Sequence, residues 1–138
     1  MSQKEFFKKE LVKELRLIEA LMKKADNPDT KNYYFSAAYG ITTRTYRYSF
    51  SKDVLLADLV LNHAYQTLLE ASRRLKTGDT PVLLDEIHFE KIEAGLRELA
   101  DAFENDESIL EPLENILTAV FSTSGAGNYL REKGLLKL

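Results

Sequence analysis

The chain contains no cysteine. Disulfide frameworks, thiolate nucleophiles and cysteine-ligated zinc or iron–sulfur sites are therefore excluded. Histidine is scarce, with two in the chain. No apolar run approaches the length needed to cross a bilayer. The opening MSQKEFFKKE is too charged for a signal peptide, so a cytoplasmic protein is expected. No internal repeat, low-complexity tract or convincing strand alternation is visible.

What is present is a soluble globular balance, 44% apolar and 30% charged over 138 residues. That length fits one domain, 1–138, able to bury roughly two thirds of its unfolded surface. The net charge of −3 hides an asymmetry. Residues 1–78 carry 14 Lys+Arg against 9 Asp+Glu, and residues 79–138 carry 5 against 13. The lysines of the first half alternate with glutamates at helical spacing, the pattern of a solvated face with i,i+4 pairs. The asymmetry points to attraction between the halves, within or between subunits.

Helical periodicity dominates. A first helix is expected over about Gln3–Ala25, opened by a Ser2/Glu5 capping box. "DNPDT" then makes a turn, with Asp29 or Thr30 capping the next helix. A second helix covers "NYYFSAAYGITTRTYRYSF", with Tyr34, Ala37, Ala38, Ile41, Thr45 and Tyr48 on its core face. Its threonines, glycine and tyrosines suit a strand better by local propensity, but alternation fails at Ala37-Ala38 and Thr42-Thr43. A third helix, about Asp53–Lys76, is apolar around most of its girth, as in a helix buried on several sides. Gly78 suits its C-terminal cap, and Thr80-Pro81 the start of a fourth helix running to Phe103 or Glu104. A fifth is expected over Ser108–Phe121, with Ser108 and Glu111 as a second capping box. A short last helix, Tyr129–Lys133, is stopped by Gly134. The fold expected is all-α: an up-and-down bundle of about five helices plus a short C-terminal one.

Few constellations carry chemistry. A bundle di-iron site needs Glu-x-x-His on two helices. His88 has only Asp85 three residues before it, and His63 has no acid there. No metal or cofactor is expected. His88 reads as exposed among carboxylates, and His63 as partly buried and hydrogen-bonded. No nucleophile elbow is present, and "STSGAG" lacks the βα unit one needs; no catalytic residue is assigned.

Two binding readings remain. Ser124, Gly125, Gly127 and Asn128 form a glycine-rich loop before a helix start, which can cradle an anion. Arg44 and Arg47, three apart, can clamp one bidentately. Together they would hold a phosphorylated ligand or nucleotide, a small-molecule anion, in a binding protein or transferase. Alternatively, Tyr33, Phe35, Tyr39 and Tyr46 lie off the core face of the second helix and need another surface. Tyrosine and arginine are enriched at protein interfaces. The leading expectation is thus a non-enzymatic, self-associating helical-bundle protein, a homo-oligomeric dimer or tetramer away from any membrane. Nucleic acid is disfavoured by the acidity.

Overall fold

The computed structural model describes residues 2–78, 84–123, 130 and 132–135. Five helices make the bundle: α1 (Gln3–Lys24), α2 (Pro28–Ser49), α3 (Lys52–Thr77), α4 (Glu86–Glu104) and α5 (Leu110–Phe121). The described residues contain no strand.

The helix starts are written in the turns. The Glu5 N–H donates to the Ser2 hydroxyl at 3.1 Å, as the capping box predicts. α2 begins earlier than expected: Asn27, not Asp29 or Thr30, accepts the Thr30 N–H at 2.9 Å. Pro28 then supplies the first helical position, where its missing N–H costs nothing. Ser51 caps α3, and Gly78 ends it at φ 70. α4 starts at Glu86 with Asp85 as its cap; Thr80 and Pro81 lie outside the described residues. α5 starts at Leu110, and Ser108 reaches only the Leu110 N–H, at 3.3 Å. Of the short terminal helix, Leu130 and Glu132 are described and helical. The Leu135 N–H closes on the Leu130 carbonyl at 2.9 Å with Gly134 at φ 73, the left-handed termination expected of that glycine.

The helices alternate in direction along the sequence and close into a ring. α2 packs between α1 and α3, α4 beside α1, and α5 between α4 and α3. α4 therefore joins the far side of α1, and α3 and α5 are parallel neighbours. The middle of the ring is filled by Leu11, Leu15, Met22, Phe35, Leu61, Leu68, Phe89, Ile92, Leu96, Leu99 and Ile116, all essentially inaccessible. At about 1.5–3 kcal/mol each for full burial, such side chains dominate the drive to fold. Gly95 lets α5 approach α4: a Cβ there would run into Ile116.

The charge asymmetry is partly spent on the α1–α4 seam. Arg16 pairs with Asp101 and Glu104, both at 2.9 Å, and Lys8 with Asp106 at 2.8 Å; Arg97 pairs with Glu19 across the same seam at 3.2 Å, in the opposite sense. The two carboxylates hold the Arg16 guanidinium proton more tightly than usual.

The strand-like residues of α2 have a use inside a helix. The Thr42 and Thr43 hydroxyls lie 2.9 and 2.5 Å from the same Asp58 Oδ1 of α3, and both also reach the Tyr39 carbonyl. Threonine here links two helices, and that contact outweighs its weak helix propensity.

Candidate functional site

The face that α2 turns inward differs from the expected one. It comprises Lys31, Asn32, Phe35, Ala38, Ile41, Thr42 and Thr45. Phe35 has no exposure at all, so it belongs to the core and cannot be an interface residue. Conversely Ala37 is exposed and Tyr48 is 55% exposed, although both were expected inside. The face is rotated because Lys31 and Asn32 are buried at its start, which a reading by hydropathy alone assigns to solvent.

Tyr39 and Tyr46 are half-buried on the edges of α2. Tyr39 meets Tyr65 of α3 at 5.4 Å between ring centroids, and Tyr46 meets Phe50 edge-on at 6.1 Å. Tyr33 remains outward, 73% exposed. At helical spacing along that same outer face follow Ala37, Gly40, Arg44 and Arg47. Among the described residues a Cβ on Gly40 would meet nothing, so none of their packing requires a glycine there.

Arg44 and Arg47 are both exposed. Arg16, Arg73, Arg74 and Arg97 each pair with a carboxylate, whereas among the described residues Arg44 and Arg47 form no ion pair. The single acid of α2, Asp29, is engaged by Lys76 at 2.9 Å. Arg47 sits in the last turn, where the helix dipole favours a cation; Arg44 has no such local reason. The other halves of the anion reading, Ser124, Gly125, Gly127 and Asn128, lie outside the described residues.

Among the described residues two larger clefts open at the surface, neither walled by these arginines. One of about 1000 Å³ between the end of α4 and the start of α5 is acidic, with Glu98, Asp101, Glu107, Glu111 and Glu114 in its wall. The other, about 790 Å³ along α1, carries Lys8, Lys9, Lys13 and Arg16 over Val12. Lys8 and Arg16 are already held by α4 and the turn after it.

A second polar group is internal. Lys31, 3% exposed, donates to the Met22 carbonyl at 2.5 Å and to Glu93 Oε2 at 3.2 Å, with Glu86 at 3.8 Å and the Phe89 ring 5.8 Å away. Burial pushes the Glu93 carboxyl above its ordinary range, and the Lys31 hydrogen bond only partly opposes this. Beside it the Asn32 amide donates to Ser72 at 2.7 Å. None of these four stood out in the sequence. The signal was there: Lys31 and Asn32 precede Phe35, Ala38 and Thr42 by whole turns, and Glu93 follows Phe89 by one.

The two histidines exchange their expected places. His63 is exposed, and His88 is fully buried. The His88 Nδ1 accepts the Asp85 N–H at 3.0 Å, which puts the ring proton on Nε2 and makes this histidine a helix cap. Among the described residues no three acidic or histidine side chains converge as metal ligands, and no helix is long and apolar enough to cross a membrane. Comparison with known proteins adds nothing to this geometry: no protein family, no curated protein and no solved structure matches the chain.

Proposed function

We propose that this is a non-enzymatic helical-bundle protein that self-associates through the outer face of α2. The observation that carries the reading is the pair Arg44 and Arg47. Each is exposed and, among the described residues, has no counter-charge, on a face that also presents Tyr33. The other four described arginines are paired within the chain. Arginine and tyrosine are the side chains most often found at the energetic centre of protein interfaces. A ring of helices whose interior is filled by its own side chains leaves its outer faces for partners, and this one carries both residue types.

Sedimentation velocity over a range of concentrations tests the reading. A dimer or tetramer that dissociates on Arg44→Glu/Arg47→Glu, with unchanged helical circular dichroism, supports it. A monomer at tens of micromolar overturns it.

A further inference from the structure

Resting on that self-association, we infer that two copies pack α2 against α2 antiparallel, about a two-fold axis passing at Gly40. Tyr33 of each copy then lies opposite Arg47 of the other. The inference comes from the order of residues along the outer face. Seven residues before Gly40 stands Tyr33, and seven after it stands Arg47; four before stands Ser36, and four after, Arg44. A two-fold axis at residue 40 places each position opposite its mirror on the partner. The aromatic end of one helix therefore meets the cationic end of the other at both ends at once. Such self-complementarity is what an isologous contact requires.

Charge selects the antiparallel arrangement. Parallel copies would bring Arg44 and Arg47 against the same residues of the partner. Antiparallel copies separate the two Arg47 positions by about 21 Å along the axis, from the rise of 1.5 Å per residue. That is well beyond the screening length of roughly 8 Å in physiological salt. Each guanidinium instead approaches a ring face, a favourable cation–π geometry. Helical side chains lean toward their own N-terminus, so Tyr33 leans past the partner subunit's Arg47 toward the partner subunit's Phe50. Phe50 is 75% exposed, directly after α2.

Gly40 answers a question the single chain leaves open. Glycine in a helix interior is destabilising relative to alanine, and the space outside its Cα is empty. Gly95 is explained by Ile116, but among the described residues nothing packs on Gly40 that would explain it. At the crossing point of two helices a missing side chain lets the backbones approach closely. Ala37, one turn away, is also small.

The absence of cysteine makes the test clean. Gly40→Cys is oxidised with copper phenanthroline, beside Leu110→Cys as control; Leu110 is 62% exposed on α5, which does not adjoin α2 in the ring. The expected result is rapid disulfide dimer at position 40 and slow, collision-limited dimer at position 110. Gly40→Leu should abolish the dimer in sedimentation and leave the circular dichroism of a folded monomer. Tyr33→Ala and Arg47→Ala should each weaken the dimer, and the double variant by less than the product of the two. A dimeric wild type whose Gly40→Cys variant forms disulfide no faster than Leu110→Cys overturns the two-fold arrangement and leaves self-association standing. A wild-type monomer overturns both.

Discussion

Replacing either member of the Lys31–Glu93 pair should cost far more than replacing both. The two charges are 3.2 Å apart and buried, 3% exposed each. At an effective dielectric constant near 20 their attraction is about 5 kcal/mol, against a desolvation penalty of several kcal/mol per ion. The net gain is small, and the raised Glu93 carboxyl says that desolvation is the larger effect on that group. Removing one partner leaves the other charge buried alone, a loss of about 3–5 kcal/mol. For a chain of this length that is a fall in Tm of roughly 10–15 °C. Lys31→Met/Glu93→Leu removes both charges and should be near neutral or stabilising by about 1–4 kcal/mol, less the hydrogen bond to Met22. The single variants should also differ in their pH dependence. A carboxyl whose proton is held more tightly in the folded chain loses stability as pH rises from 4.5 through its raised value. In Lys31→Met the neutralising cation is gone and that window widens upward, so the variant should be weakest at neutral pH and recover on acidification. Glu93→Gln removes the titrating carboxyl, so the part of the pH dependence that this carboxyl confers should vanish in that variant. Urea denaturation followed at 222 nm, from pH 4 to pH 8, reads all of this. Single variants that each cost under about 1 kcal/mol and simply add in the double would refute a buried, coupled pair.

Phe35→Ala should destabilise by about 3–5 kcal/mol in denaturant titration, because it opens a cavity in the core and not a gap at an interface. Gly95→Ala should cost about 1–3 kcal/mol, since the new methyl must displace Ile116, whereas Gly40→Ala measured on the monomer should gain about 0.5–1 kcal/mol; calorimetry distinguishes the two signs. Glu70, held by hydrogen bonds from Arg73 and Arg74, should titrate at about 2 by NMR and return toward 4.5 in Arg73→Ala/Arg74→Ala. Its contribution to folding is present above pH 4.5 and is lost as the pH falls toward 2, because its folded value is the lowered one.

The helices were legible because periodicity and punctuation agree. Ser2 and Gly78 mark ends that any reading of caps finds, and α3 and α5 follow their apolar patterns. The face of α2 was misread because two polar residues, Lys31 and Asn32, are inside. A lysine on a core face looks like a reason to rotate the helix, and only the opposing Glu93, distant in sequence, and the Met22 carbonyl across the α1–α2 turn make its burial tolerable. His88 misled for the same reason: among carboxylates in sequence, it is turned inward by a backbone N–H three residues earlier. That Arg44 is a cation without a local acid was visible. That Phe35 would not share its surface was not, because the tyrosines around it mask which ring points where.

The ring closes late. The contacts that join α1 to α4 and the turn after it link residues 78 to 98 positions apart. While the chain is being made, α1, α2 and α3 can form their two antiparallel contacts. Leu11, Leu15, Leu61 and Leu68 then wait in an open trough for helices not yet synthesised. Long loops must close before those leucines are covered, which slows folding and exposes an aggregation-prone surface meanwhile. A fragment ending at Gly78 should therefore be helical but insoluble alone, and a separate fragment carrying α4 and α5 should rescue it when the two are mixed during refolding.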